Sequence, residues 1–502
     1  MKKSLFLSAM VALTAVGIVG CGPTTNPTEV PTTNPTTIPT TNPTTTVEEH
    51  KPIIETPVTI SMWVKSDINS PLYASFVETF KQVEPNVTVN LSALEDVNNY
   101  NDLQKKVLTG ILAKQYPNIV QAYPGHVADY HANDIAINIQ PYFENAQYGW
   151  SAEERSQFNL SAGQQFGFEG TYCLPFNKSS EVLYYNREKL VGLDLSAQNP
   201  NINNGYALTD SYLQNLTWEE IFDRLGPALI AYDEANPDEN LIDKSDSDWS
   251  VFFHEDDANH FITTMKQYDV DYTSVDSTGK GSVNFVNAEA KALRKKFANA
   301  VTDHLVATRW SSGGKYSANQ LLLGHSLLAV NSTVGASYFY HNEYITDVGI
   351  GHVPYAEGQK RYVVEQGTSL AFLSHGNELQ DLASWLFYKH MTSYENQLTY
   401  SLGSGYLPIR ADIYDDPAYI AFTDLDQFSG ISADKITAEV FNFAEQLQDD
   451  YFTEAPFAGS TAVRNAVSYL NSGIYAEAKK GYITDAFIDD AFEDAYNNAM
   501  NG

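Results

Sequence analysis
The chain has 502 residues, and its 62 acidic residues against 30 basic ones leave a formal charge of -32, which argues against nucleic acid or an anionic lipid surface as partner. Aromatic residues make up 13% of the chain, 32 of them Tyr; this suits stacking on polar ligands with apolar faces, although most of these rings must serve ordinary core. Without its first 56 residues the chain keeps about 446, enough for two or three units with large cores.

Lys2 and Lys3 give a charged start, Leu5 to Val19 is almost wholly apolar, and Ile18-Val19-Gly20-Cys21 resembles the lipobox of bacterial lipoproteins. That resemblance implies a signal peptide over residues 1–20, lipid on a new N-terminal Cys21, and export of everything downstream. A plain secretory signal and an uncleaved span are the competing readings, but the apolar run is short for a span, which needs about 20 residues. From Pro23 to Thr46 follow six tandem Pro-led tetrads with almost nothing apolar to bury. Such a segment cannot offset its own ordering entropy, so residues 21–56 are expected to form an extended stalk, in which the tetrads from Pro23 to Thr46 alone reach about 70 Å at roughly 3.1 Å per residue. Cys173 is the only other cysteine, so no intramolecular disulfide is available once Cys21 carries lipid.

Beyond the stalk, Val58, Ile60 and Met62 alternate with polar residues and lead into Trp63, which predicts a first strand. Ser70 and Pro71 supply a helix start, and Leu72, Phe76, Phe80 and Val83 mark one face of that helix. Val87, Val89 and Leu91 predict a second strand, Leu103, Val107, Leu108 and Ile111 a second helix, and Ile119 and Val120 a short strand after Pro117. This order is βαβαβ, the signature of an α/β layer with parallel neighbours and right-handed crossovers. Further along, Glu181 to Asn186 (EVLYYN) predicts a strand, and Thr217-Trp218-Glu219-Glu220 a capped helix start. Helical periodicity recurs at Leu293, Phe297 and Val301, at Leu379, Leu382 and Leu386, and at Ile436, Val440 and Leu447. Strand-like runs appear at Leu327 to Val330 and Val348 to Val353.

Catalytic and metal patterns fail on spacing. His254 and His260 flank HEDDAN, but a zinc protease needs His at i and i+4, whereas i+6 lies about 240° round a helix. Ser311-Ser312-Gly313-Gly314-Lys315 lacks the earlier glycine of a phosphate loop, and the run from Asp269 has Ser274 and Lys280 where a calcium loop needs Gly and Glu. Gly403-Ser404-Gly405 is too tight for a nucleophile elbow. No enzymatic activity and no cofactor are expected.

Taken together, VTISMWV, SFVETFKQVEPNVTV, YPNIVQAYPGHVADY, LPFNKSSEVLYYN, LTWEEI, DVGIGHVPY, EQGTSLAFL and SLGSGYLPIR resemble the extracellular solute-binding proteins of ABC importers. Within that group the likeness is greatest to the sn-glycerol-3-phosphate and glycerophosphodiester binders. The resemblance implies an α/β, bilobal periplasmic-binding-protein type II fold: two lobes joined by hinge crossings that close on a ligand. Lobe 1 would take residues 57–176 and 355–393, and lobe 2 residues 178–353 and 394–500, with Pro175-Phe176-Asn177 as one crossing and Pro354 near the return.

The family pattern implies ligand-binding roles for Tyr100, Ser179, Ser332, Gly367, Tyr406 and Arg464. Ser179 is either a ligand contact at a strand mouth or a turn serine, and at Ser332 the neighbouring Thr333 is an equal candidate. Gly367 offers close backbone approach, Tyr406 a ring that both stacks and hydrogen-bonds, and Arg464 a guanidinium near a helix start suited to a phosphate. Trp249 and Trp63 are further candidates for the cleft, as a stacking platform and as the end of the first strand, while Trp218 and Trp385 read as structural. One departure stands out: the phosphoglycerol binders carry an acidic residue just after the Tyr of the QxY element, where this chain has Pro124, leaving His126 or Asp129 as substitutes or a different ligand altogether. The implied partners are a carbohydrate-type solute and the transmembrane subunits of an ABC permease, for a monomer held by its N-terminal lipid on the outer face of the bacterial cell membrane. The alternative is a surface adhesin or polysaccharide-binding protein that keeps the bilobal fold without transport.

Overall fold
Alternation of Val58, Ile60, Met62 and Val64 turns four apolar side chains to one side of the strand Val58–Lys65, and burial of that side decides which way the strand faces. The computed structural model describes residues 51–501 apart from 68, 98, 161–166, 168 and 345. The expected signal segment, Cys21 and the Pro-led tetrads lie outside the described residues. The stretch expected to end the stalk is docked: Ile54 is buried, and the backbone N–H groups of Ile53 and Ile54 donate to the Glu84 carboxylate at 2.9 and 3.1 Å.

Two five-stranded sheets organise the chain. In the first, Val58–Lys65 lies between Val87–Leu94 and Ile119–Ala122, parallel to both, and Ser369–Phe372 and Cys173–Pro175 extend the sheet in antiparallel pairing. Helices Ser70–Val83 and Glu378–Met391 bring Phe76, Phe80, Trp385 and Tyr388 onto one face, where Ile60, Met62 and Ile119 also point. Val120 and Ala122 face the other side, against Leu103 and Val107 of the helix Tyr100–Gly110. Each Phe-sized side chain buried this way contributes about 1.5–3 kcal/mol relative to exposure.

The second sheet runs Val348–Gly351, Glu181–Asn186, Leu328–Ser332, Phe252–His254, Val306–Thr308. The last three strands are mutually parallel, and Glu181–Asn186 is antiparallel to both its neighbours. In EVLYYN the pleat sends Leu183 and Tyr185 into one core and Val182 and Tyr184 into another, where Tyr184 stacks on Phe339 at 3.8 Å. Trp218 is fully buried in the larger core, edge-on to Phe252 and Phe297, with its indole N–H donating to Gln267 Oε1 at 2.9 Å. Among the described residues no helix is long and apolar enough to cross a membrane.

Three segments pass between the sheets and pair with one another. Asn177 N–H donates to Thr368 O at 2.9 Å, Ser179 and Gln366 exchange backbone bonds at 2.9 and 2.8 Å, and Leu407 N–H donates to Lys178 O at 2.8 Å. The crossing at residues 175–177 is thus joined by a return at 365–368, about ten residues later than Pro354. Residues 355–364 stay with the second sheet because Tyr355 O accepts from Trp218 N–H, Pro354 O accepts from Gln267 Nε2, and Val363 packs in the second core. The helix Tyr394–Ser404, placed in lobe 2 by the sequence-based division, packs through Tyr400 against Tyr73, Phe76 and Phe176 of the first core.

Candidate functional site
Where parallel strands end and helices begin, backbone N–H groups converge and side chains of short loops share one space, so ligands gather at the carboxyl ends of such strands. Here a cavity of about 450 Å³ occupies that place. Tyr100 and Asn101 reach it from the start of Tyr100–Gly110, and Gly125 and His126 from the start of Pro124–Ala132. From the second sheet come Asn331 and Ser332 at the end of their strand, Glu255 and Asp256 after Phe252–His254, and Asn259 in the first turn of Asp257–Gln267. Ser460, Thr461 and Arg464 arrive from the start of Ser460–Ala478, and the crossing segments add Lys178, Gln366 and Gly367.

Polar contacts tie the two sides of this space together. Asn101 Nδ2 donates to Asn465 Oδ1 at 2.9 Å, and Gly459 N–H donates to Asp129 Oδ1 at 2.8 Å. Gly125 lies so close to the opposite wall that a Cβ there would stand 2.7 Å from Ser460 Oγ. Asp129, a candidate to replace the acidic contact missing at Pro124, does not line the cavity; it accepts from Gln104 Nε2 at 2.6 Å as well as from Gly459, and so spans the gap. His126, the other candidate, lines the wall but is held there: Nδ1 accepts from Tyr123 N–H at 3.3 Å, which leaves Nε2–H to donate to Asn101 Oδ1 at 3.0 Å.

Burial, and then the charge of Arg464, hold the His126 imidazole down to about 3 from its ordinary 6.5. Between those values the unfolded chain binds more protons than the folded one. This contribution to stability is therefore complete above pH 6.5 and lost as pH falls toward 3. Lowering the pH from 6.5 to 5 should cost about 2 kcal/mol through this residue. Urea unfolding at the two pH values is expected to show that loss, reduced in His126→Gln by the same amount; equal losses in both proteins would show that His126 is not held neutral.

Of the residues singled out from sequence, Tyr100, Ser332, Gly367 and Arg464 line the cavity. Tyr406 stacks on Tyr400 with ring centroids 6.1 Å apart and hydrogen-bonds Tyr100, immediately behind the wall; burial pushes its phenol up to about 12, so it stays protonated. Ser179 is buried behind the lining, its backbone committed to Gln366. Trp63 packs against the same core as Tyr100 and does not line the cavity. Trp249 precedes the strand Phe252–His254, at the end opposite the cavity, where it stacks on His304 at 4.2 Å and has Lys244 Nζ 5.0 Å from its ring centroid. Arg464 donates to Glu454 and to Asn259 Oδ1, so its guanidinium is shared inside the protein.

Glu181, Asp256, Asn259 and Tyr272 also line the space and were not singled out. The signal for two of them was HEDDAN itself. As a zinc motif it fails, but it is a strand end, a turn and a helix start: the Asp256 side chain caps the helix by accepting from Asn259 N–H at 2.7 Å, leaving Glu255, Asp256 and Asn259 at the cavity.

The model of the bacterial extracellular solute-binding protein family matches residues 75–426, well over half of the chain. No curated protein matches the sequence. Among solved structures, the GacH receptor of Streptomyces glaucescens, determined unliganded and with acarbose and an acarbose homologue, is similar at 16% identity and TM-score 0.60, over 89% of this chain and 99% of that one. Maltose-bound MalE3 of T. maritima is similar at 15% identity and TM-score 0.60, over 88% and 99%. The cyclic alpha-maltosyl-1,6-maltose binding protein of Arthrobacter globiformis is similar at 13% identity and TM-score 0.60, over 89% and 100%. These likenesses establish the α/β, bilobal periplasmic-binding-protein fold.

Proposed function
The chain belongs to the bacterial extracellular solute-binding protein family, and from that premise we propose that it captures a carbohydrate-type solute between its lobes and delivers it, chemically unchanged, to the permease of an ABC importer. The observation that carries this reading is the cavity of about 450 Å³ lined from both sheets by phenols, hydroxyls and carboxamides, the donor and acceptor set that sugar hydroxyls need. A ligand that bridges both walls stabilises the closed state, which is what a permease can read. The saccharides named for the three similar structures support the same class. Lipid attachment at Cys21 and tethering to the outer face of the membrane are part of the proposal and rest on the lipobox resemblance.

Phosphoglycerol fits the walls less well. Glu181, Glu255, Asp256, Glu365 and Glu454 face the cavity against only Lys178 and Arg464, and each of those cations has a carboxylate of its own, Lys178 with Glu365 at 3.7 Å and Arg464 with Glu454. A phosphate would enter a net negative site. Because Trp249 and Trp63 stand outside the lining, calorimetry is the suitable assay. Titration with maltotriose, other oligosaccharides, glycerol-3-phosphate and a glycerophosphodiester should give saturable binding of a saccharide, recovered intact by chromatography, and none of the phosphates. Binding of the phosphodiester alone would return the ligand to the phosphoglycerol class, ligand turnover would mark an enzyme, and silence with every soluble ligand would favour an adhesin.

A further inference from the structure
Glu181 opens the strand Glu181–Asn186 at the cavity wall, with only 1% of its surface exposed. Its Oε1 accepts from Asn259 Nδ2 at 2.8 Å, while Oε2 has no hydrogen-bond partner among the described residues. His254 Nε2 lies 3.8 Å from Oε2, and the Arg464 guanidinium, which donates to the other end of the same Asn259 carboxamide, acts on the carboxyl without bonding it. His254 Nδ1 accepts from Asp256 N–H, and burial holds the ring down to about 3, so it brings no positive charge. Burial, then the charge of Asp256, push the Glu181 carboxyl well above the usual carboxylate range.

The remaining wall charges are already matched. Glu255 meets Arg309 at 3.0 Å and also accepts from Ser317 N–H, and the two cations that line the cavity are bound to Glu365 and Glu454. Among the described residues, neither Glu181 nor Asp256 has a Lys or Arg nitrogen within 4.0 Å. A carboxylate taken out of water without a counter-ion is costly, and a cation that enters beside it removes the cost. An ammonium group carries three donors, enough for Glu181 Oε2 and the Asp256 carboxylate together.

We infer that the solute presents a protonated nitrogen to Glu181 and Asp256, so that the preferred ligand is an amino-substituted saccharide. This rests on the carbohydrate reading above and narrows it. The test is calorimetry of the full chain with a glucosamine trimer, its N-acetylated counterpart, maltotriose and spermidine. The glucosamine trimer should bind at least tenfold more tightly than the acetylated trimer, and Glu181→Gln should bring that ratio below threefold. Asp256→Asn, which keeps a capping side chain on the helix, should lower the ratio as well and carries the test if the Glu181 variant does not fold.

An acetylated trimer or maltotriose that binds as tightly as the amine, or a ratio unmoved by either substitution, overturns the inference and leaves the carbohydrate reading standing. Spermidine binding without any saccharide keeps the cation site and removes the carbohydrate reading. If none of the four binds, both are wrong.

Discussion

Gly367→Ala is expected to lose at least about 3 kcal/mol of stability and, in whatever folds, to weaken ligand binding. A Cβ at this position would stand 1.6 Å from Asn177 O and 2.6 Å from Asn177 C, both backbone atoms of the neighbouring crossing segment. The residue also sits at φ +110°, a region that side chains with a Cβ avoid. Relief requires the segments to separate, yet they are held by the bonds from Asn177 to Thr368 and between Ser179 and Gln366. The close approach that demands glycine is therefore between two strands of the hinge, and it also leaves Gly367 at the cavity wall. Urea unfolding and calorimetric titration measure the two consequences separately. Unchanged stability would mean that the crossing segments are not packed as described.

Asn177→Ala should cost about 2–4 kcal/mol, more than an isolated buried hydrogen bond is worth, because several partners are stranded at once. Its Oδ1 accepts from Tyr400 OH at 2.6 Å and from Tyr73 OH at 3.4 Å, and its Nδ2 donates to Thr368 Oγ1 at 3.0 Å. Tyr73 OH in turn accepts from Gln121 Nε2 at 2.7 Å, and Gln121 Oε1 accepts from Lys65 N–H at 2.8 Å, so the network runs from the first sheet into the hinge. Tyr73→Phe, which keeps the ring packed against Phe176 but strands the Gln121 carboxamide and removes the contact with Tyr400 OH at 3.1 Å, should cost about 1–3 kcal/mol. A double variant losing much less than the two single losses added together shows the coupling; strict additivity would show that the residues act independently.

Much of the architecture could be read from local pattern. Alternation at Val58, Ile60 and Met62, the turn of Phe76 and Phe80 onto one helix face, and the Asn377 start of Glu378–Met391 each express a period that neighbouring residues carry themselves. The lining was harder. Tyr100, Ser332, Gly367 and Arg464 were reached through the family resemblance, whereas Glu181 in EVLYYN reads simply as the first residue of a buried strand, and nothing nearby in sequence announces Asn259 as its partner. Trp249 shows the opposite case: a large ring in a polar stretch looks like a stacking platform, but its place before rather than after the strand Phe252–His254 puts it at the other end of the sheet.

By itself, then, the amino-acid order carried the broad class of the chain: an N-terminus that resembles a lipoprotein signal, a polar tract with almost nothing apolar, and a body of alternating strands and helices whose acidity argues against a phosphate-rich partner. Those features depend on composition and on periods of two and 3.6 residues, which act over a few neighbours. Only the tertiary structure decided that residues 366–368 pair with the crossing at 177–179, that Tyr400 of Tyr394–Ser404 packs in the first core, and that Glu181 faces Asn259 across 78 positions. Each of these is a contact between segments far apart in the chain, set by which packing leaves the fewest buried polar groups unmatched, and that balance exists only once the whole chain is folded.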